Sequence, residues 1–162
     1  RPDLRFNVAL AFVMLVLALT YLDAVYDDDF QTCAAVPCLQ PSDRVTVPAG
    51  NKIAGTMEKS AFASLAWRVL PQTELALELR YQGQMPVNDR NTDFSPSATV
   101  SALRLSHSMP LGPGTLSLLA RLDNLTDRSY AGAVIVNESN GRYFETAAKR
   151  NALLALRWQA PF

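Results

Sequence analysis

The feature that most constrains this chain is a repeated alternation of apolar and polar residues with a period of two. In residues 74–82, for example, Leu75, Leu77 and Leu79 alternate with Glu74, Glu78 and Arg80. Such a pattern places apolar side chains on one face of a β-strand, and a helix with 3.6 residues per turn does not match it. The same alternation occurs in the segments 61–69, 116–123 and 151–162, and less cleanly in 98–109.

The gaps between these segments alternate between long and short. Residues 70–73, around Pro71, and 110–114 form short gaps, whereas 27–56, 83–97 and 126–149 form long ones. Outer-membrane barrels have short periplasmic turns and long extracellular loops. The rhythm therefore predicts an all-β fold, an antiparallel up-and-down transmembrane β-barrel segment of about six strands with no substantial helix.

The sixth strand is an interpretation of the apolar run at residues 8–19, which follows Arg1 and Arg5. Twelve apolar residues are too few for a membrane-spanning helix, which needs about 20, but suffice for a spanning strand, which needs about 9–11. The run is apolar on both faces, so a signal-like helix remains the alternative.

Alternation alone does not say which face meets water. In a small soluble barrel the leucines would point inward, whereas in a membrane barrel they would point to lipid and the charges to a wet lumen. The loop rhythm favours the membrane. The strand ends carry Trp67, Tyr81 and Trp158, which would form the aromatic girdle of a membrane barrel, with ordinary core aromatics as the alternative. For the last strand we predict a lipid-facing set of Leu154, Leu156 and Trp158 and a lumen-facing set of Asn151, Arg157 and Gln159.

Composition argues against several functional classes. The 15 basic and 15 acidic residues balance, so no basic excess indicates nucleic-acid binding. With His107 as the only histidine and no phosphate-binding or nucleophile motif, we predict no catalytic residues, no enzyme activity and no cofactor. We also predict no metal site, because the run 27–29 of three aspartates is better explained as a solvated loop tip than as a cation ligand.

Cys33 and Cys38 form the only cysteine pair, in a polar, proline-containing segment. A close pair in a loop suggests a disulfide in an oxidising compartment, and two free thiols in a cytosolic loop are the alternative.

Four segments resemble TonB-dependent outer-membrane receptors. Residues 123–130, DNLTDRSY, resemble a D-N-L-x-D-x-x-Y segment near the end of these receptors, and 131–145 resemble the last extracellular loop of the ferric-siderophore type. Residues 20–24, TYLDA, resemble a strand end of the same family, and 81–93 resemble another of its loops. The resemblance covers most of the chain from about Thr20 onward.

The resemblance implies that residues 1–162 are the C-terminal part of a barrel of about 22 strands in the bacterial outer membrane. The N-terminal plug domain of the family is absent from this sequence, and six strands do not close a transmembrane barrel, so we expect a fragment of a larger receptor. The implied partners are a ferric siderophore or similar scarce nutrient, the TonB energy-transducing complex acting through the missing plug, outer-membrane lipid and the barrel assembly machinery.

The resemblance also implies site residues. Candidate ligand contacts on the last long loop are Tyr130, Arg142, Tyr143 and Phe144, although Tyr130 and Phe144 could simply pack at the barrel rim. Trp158 and the terminal Phe162 are the candidate insertion signal, with Pro161 departing from the usual pattern.

The expected function is outer-membrane transport. The alternatives are a soluble β-sandwich binding domain behind a signal-like segment, and a porin or barrel enzyme.

Overall fold

The chain folds as an all-β protein, as the alternation predicts. The computed structural model describes residues 12–34 and 36–160. Within these residues the only helical segment is a 3₁₀ turn at Pro41–Asp43, and no helix there is long and apolar enough to cross a membrane. Twelve strands are numbered in chain order: β1 Val13–Tyr21, β2 Phe30–Cys33, β3 Arg44–Val47, β4 Lys59–Leu70, β5 Thr73–Gln82, β6 Met85–Pro86, β7 Phe94–Ser95, β8 Ala98–Leu111, β9 Gly114–Asp123, β10 Ala131–Val134, β11 Phe144–Thr146 and β12 Asn151–Gln159.

Six of these strands form one antiparallel sheet in the order β1-β4-β5-β8-β9-β12. When the short strands of the loops are left out, each strand of the sheet pairs with the next one along the chain, so the topology is up-and-down. The six strands are 9 to 14 residues long, which matches or exceeds the 9–11 residues that a tilted strand needs to span a bilayer. Short turns join β4 to β5 and β8 to β9 at one end, and the three long loops lie at the other.

The register aligns the apolar positions of all six strands. In one row, Leu15 pairs with Leu65, which pairs with Leu77, which pairs with Leu103. The row continues through Leu122 of β9 to β12. We refer to the side of the sheet that carries this row as the apolar face; its larger members are Val13, Leu15, Leu17, Leu19, Leu65, Trp67, Leu75, Leu77, Leu79, Tyr81, Leu103, Leu105, Leu116, Leu118, Leu122, Leu154, Leu156 and Trp158.

The opposite side, the charged face, is the better covered of the two. Leu77 and Leu154 on the apolar face are 41% and 69% exposed, whereas Ala76 on the charged face is 1% exposed. Even the side chain of Glu78 on the charged face is only 18% exposed. A soluble sandwich buries its leucine face against a second layer; within the described residues no such layer covers this one.

Three details differ from the sequence-based boundaries. The first strand begins at Val13 and runs to Tyr21, and residues 8–11 of the apolar run lie outside the described residues. In β4 the register shifts between Arg68 and Leu70, so the alternation predicted for the whole segment 61–69 ends at Arg68. Strand β8 extends through Pro110 to Leu111, since the end of a strand beside a turn tolerates proline. The turn between β8 and β9 is therefore limited to residues 112–113.

Candidate functional site

The long loops are structured rather than irregular. The first loop (residues 22–58), the second (83–97) and the third (124–150) each contain a short antiparallel hairpin: β2 with β3, β6 with β7, and β10 with β11. All three lie at the end of the sheet opposite the short turns. The sequence predicts the loops but not these six short strands, which are too brief to show a period.

The tip of the second loop joins the other two loops through Asp89. Its carboxylate accepts a hydrogen bond from the Tyr26 hydroxyl of the first loop at 2.7 Å and from Asn137 Nδ2 of the third loop at 2.9 Å. The Asp89 backbone N–H donates to Asn137 Oδ1 at 2.9 Å, and its carbonyl accepts from Asn51 Nδ2 at 2.8 Å. One residue therefore ties three loops together.

Further bonds reinforce this junction. Asn91 and Lys52 exchange two hydrogen bonds of 2.8 Å between side chain and backbone, and the Gly55 N–H donates to the Pro86 carbonyl at 2.8 Å. Val87 and Asn88 are buried beneath these contacts. Burial, together with the hydrogen bond to Asp89 and its negative charge, raises the pKa of Tyr26 to about 12.

A cleft of about 200 Å³ lies where the three loops meet. Cys33 and Cys38, predicted as a disulfide, are joined by one with a Cα–Cα distance of 5.8 Å, within the range for such bonds, and Cys33 lines the cleft wall. The cleft offers a guanidinium, a phenol, two carboxylates and hydroxyls, a set that suits a polar ligand. Its lining includes Thr32, Cys33, Arg90, Glu138, Ser139 and Tyr143.

The structure separates the four candidate ligand contacts. Tyr143 lines the cleft, and its ring lies edge-on to that of Phe144, with centroids 6.2 Å apart. Phe144 and Arg142 are exposed and do not line it. Tyr130 lies at the rim, where its carbonyl accepts a hydrogen bond from the Ala147 N–H at 3.0 Å.

The family-like segment 123–130 forms a tight turn at the end of β9. Asn124 is buried, with a φ of 52°, and its Nδ2 donates to the carbonyls of Arg128 at 2.8 Å and Ala148 at 3.2 Å. The Asp127 carboxylate accepts from the Arg150 N–H at 2.9 Å, and this bond lowers the pKa of Asp127, helped by the positive charges of Lys149 and Arg150. The turn thus fixes the third loop to the start of β12.

A chain of ion pairs crosses the charged face on β5, β8 and β9. Arg104 contacts Glu74 at 3.0 Å and Glu78 at 3.6 Å, and Arg121 contacts Glu78 at 2.9 Å and Asp123 at 2.8 Å. Arg104 and Arg121 are direct cross-strand partners. Like charges in that position repel, so the carboxylates between them offset the repulsion.

The remaining candidates lie away from the cleft. Trp158 is on the apolar face near the short-turn end, and its Nε1 donates to the Leu111 carbonyl at 3.3 Å; Phe162 lies outside the described residues. In the aspartate run, Asp29 accepts from the Ala49 N–H at 2.7 Å. Among the described residues no group of three or more His, Cys, Asp or Glu side chains is placed to hold a metal ion.

Sequence reasoning did not identify Asp89, Asn91 and Asn137 as the junction of the loops. The available signal was the concentration of Asn and Asp in the loops, since these residues tolerate a left-handed backbone. Asn91, Asn124, Asp127 and Asn137 are the non-glycine residues of the described chain with positive φ. Pairing between distant loops left no pattern in the sequence.

Comparison with solved structures supports the fold. No protein-family model matches the chain. The siderophore receptor PiuA from Acinetobacter baumannii is similar, with a TM-score of 0.72 and 20% sequence identity over 89% of this chain. The chain spans only 19% of the length of that receptor. The likeness therefore shows that this chain shares the β-barrel fold of the matched part of that protein.

Proposed function

We propose that this chain is the C-terminal barrel part of a TonB-dependent receptor that imports a ferric siderophore, or a similarly scarce nutrient, across the bacterial outer membrane. The apolar face would contact lipid, the charged face would line a hydrated lumen, and the three loops would face outward and capture the ligand.

One observation carries this proposal: the leucine-rich face is the exposed one, while charges occupy the better covered face. Exposed leucines on five of the six strands are unfavourable in water and favourable in lipid. Aromatic residues lie near both ends of the same face, with Trp67 and Trp158 towards the short turns and Tyr21 and Tyr81 towards the loops. Such girdles are typical of membrane barrels.

The cleft between the loops supports a role in ligand capture. Arg90 and Tyr143 supply a cation and a phenol beside the carboxylates of Asp89 and Glu138, and this mixture of donors and acceptors suits a polar, oxygen-rich ligand such as a ferric chelate. The structural likeness to a siderophore receptor adds to this argument at the level of fold.

The test is nutrient uptake by cells that lack the gene for the full-length protein containing this chain. We expect the full-length protein to fractionate with the outer membrane and to restore uptake of one member of a panel of radiolabelled ferric siderophores and cobalamin. Absence of uptake and of binding across the panel, with normal outer-membrane levels of the protein, would contradict the proposal.

Neighbouring aromatic residues give a matched pair of variants. Tyr143→Ala removes a cleft side chain and should weaken ligand binding roughly tenfold, or about 1.4 kcal/mol. Phe144→Ala removes an exposed ring outside the cleft and should change binding less than about threefold. Equal losses in the two variants would place the ligand elsewhere on the loops.

A further inference from the structure

The cleft where the three loops meet is too small for a whole ferric chelate. Its volume of about 200 Å³ lies below the range of about 300–1,000 Å³ that is typical of pockets for complete small ligands. A chelated iron atom with its full set of oxygens would therefore remain outside the cleft, and only one end of the ligand would enter it. The groups that line the cleft decide what kind of end this is.

Part of the lining is already engaged in contacts within the protein. Both carboxylate oxygens of Asp89 accept a hydrogen bond, one from Tyr26 and one from Asn137. The amide oxygen of Asn137 accepts from the Asp89 N–H, and the amide of Asn88 bonds to Thr92 through both its nitrogen and its oxygen. These side chains hold the cleft in shape, and their hydrogen-bonding groups are directed at one another.

Two charged side chains of the lining are not used in this way. In the described part of the chain, neither Arg90 nor Glu138 takes part in an ion pair. The hydrogen bond that the Glu138 carboxylate accepts from the Asn140 N–H is long, at 3.4 Å. Arg90 and Glu138 directly follow Asp89 and Asn137, which two hydrogen bonds join between the loops. That junction therefore brings a cation of the second loop and an anion of the third to the same cleft.

The charges of the lining do not suit a ligand end that is only negative. One guanidinium, from Arg90, stands against the carboxylates of Asp89 and Glu138, which gives the lining a net charge of −1. An ammonium group would be attracted by both carboxylates. A carboxylate on the same end of the ligand suits Arg90, because a guanidinium binds both of its oxygens through paired N–H donors. Further hydroxyl donors in the lining are those of Thr32, Ser139 and Tyr143.

We propose that the cleft binds a zwitterionic amino-acid end of the ligand, with the ammonium at Glu138 and the carboxylate at Arg90, while the chelated metal remains outside. The inference rests on the function proposed above and names its ligand class: ferric chelates that carry a free α-amino acid group. A partly exposed ion pair changes affinity by up to about fivefold. Two such pairs acting together account for a preference of about tenfold.

The test uses the purified full-length protein and one ferric hydroxamate chelate in four forms. The chelate is desferrioxamine B with its terminal amine joined to the side-chain carboxylate of glutamate, so that the α-ammonium and the α-carboxylate stay free. The other three forms carry an acetylated amine, an amidated carboxylate, or both. We expect each block to weaken binding about threefold and both blocks together about tenfold.

Two results of these titrations would overturn the proposal: equal binding of the four forms, and no binding of any of them. Free glutamate is titrated in competition with the unblocked chelate, because a soluble amino acid presents the same two groups. It should compete much more weakly, since it lacks the contacts that the rest of the chelate makes with the loops. Competition as strong as that of the chelate itself would show that the cleft takes a free amino acid, and would overturn the assignment to a chelate.

Two variants assign the charges to their partners. Glu138→Gln should abolish the effect of acetylating the amine and retain the effect of amidating the carboxylate, and Arg90→Gln should do the reverse. The matched controls are Glu145→Gln and Arg128→Gln, at exposed positions of the third loop outside the cleft, and both effects should remain in them. Each variant is compared with itself across the four forms, so a general loss of affinity does not imitate the result. Both effects unchanged in Glu138→Gln and Arg90→Gln would overturn the proposal.

Uptake by the complemented cells separates this inference from the function on which it rests. If a ferric siderophore of the panel is imported but the four forms bind equally, the zwitterion subsite alone is rejected. Failure of the receptor function would instead appear as absent uptake and absent binding across the whole panel.

Discussion

At the scale of single residues, the buried polar groups of the loops carry more structural information than their sequence suggests. The segment 123–130 stands out in the sequence by family resemblance, but that resemblance does not say what Asn124 does. In the structure Asn124 combines a left-handed backbone with hydrogen bonds to two carbonyls, one within its own turn and one across the third loop. Its partner Ala148 is 24 residues away, a separation that no local pattern encodes.

Replacing Asn124 should therefore destabilise the protein markedly. Asn124→Ala loses these hydrogen bonds and places alanine in a left-handed conformation, and we expect a loss of about 2–3 kcal/mol. Asn140→Ala, at an exposed position with one hydrogen bond to the Arg142 N–H, should cost less than about 1 kcal/mol. Urea unfolding of the full-length protein in lipid vesicles measures both, and equal losses would refute the role assigned to Asn124.

A second prediction concerns Tyr26. Because its pKa is raised to about 12, it should keep its proton at pH values where an ordinary tyrosine, with a pKa near 10, has lost it. The unfolded chain ionises first, so the stabilisation is complete below pH 10 and is lost as the pH rises towards 12.

The measurement is the absorbance of ionised tyrosine as a function of pH, with Tyr26→Phe identifying the contribution of Tyr26. Asp89→Asn removes the neighbouring charge and should shift the midpoint part of the way back towards 10, since burial remains. A midpoint near 10 in the unsubstituted protein would contradict the hydrogen bond to Asp89.

At the scale of strands, the sequence predicts more than it does for single residues. Period two fixes which side chains share a face, and a one-residue slip would exchange the faces, so five of the six strands and their two faces follow directly from the pattern. The first strand does not, because its run is apolar on both faces. The partners within each row do not follow, because several registers would align leucine with leucine. The short strands of the loops also escape prediction, since two to four residues show no period.

The last strand provides a direct test of the two faces. Leu156 pairs with Leu118 on the apolar face, and Arg157 pairs with Ser117 on the charged face. Leu156→Arg would place a charge in lipid at about 2–4 kcal/mol near the bilayer midplane and should impair assembly, while Arg157→Leu should be tolerated. Heat-modifiable gel mobility of the full-length protein reports assembly, and the reverse result would mean that the leucines face water.

The ion pairs of the charged face give a further prediction about the strands. Glu78 lies between two directly opposed arginines, whereas Glu74 contacts only Arg104 among the described residues. Glu78→Gln should therefore lower the free energy of unfolding by about 1–3 kcal/mol, and Glu74→Gln by clearly less. Urea unfolding of the two variants measures both losses. A larger loss of stability in Glu74→Gln than in Glu78→Gln would show that Glu78 does not offset the repulsion between the two arginines.

At the scale of the whole molecule, the sheet and the loops differ in how far the sequence predicts them. The position of the loops follows from the long and short gaps, and the close spacing of Cys33 and Cys38 suggests their pairing. The cleft does not follow, because it is made by residues of three loops that are up to 111 residues apart, from Thr32 to Tyr143.

The disulfide can be checked in the full-length protein as it is isolated. Non-reduced protein from the outer membrane should show no alkylation at Cys33 and Cys38, and reduction should make both reactive. Because Cys33 lines the cleft, reduction should also weaken ligand binding, with Cys33→Ser/Cys38→Ser as the matched variant. Two alkylatable thiols before reduction would rule out the bond.

The junction at Asp89 has a consequence for the way the loops open. Backbone amides of all three loops donate across it: Gly55 to the second loop, Asp89 to the third, and Asn137 back to the second through the Val87 carbonyl. Releasing the second loop removes partners from both of the others, so the amide protons at the junction should exchange with deuterium as a single cooperative unit. Ligand access to the cleft would then be governed by one opening equilibrium shared by the three loops, and not by the separate fluctuations of each.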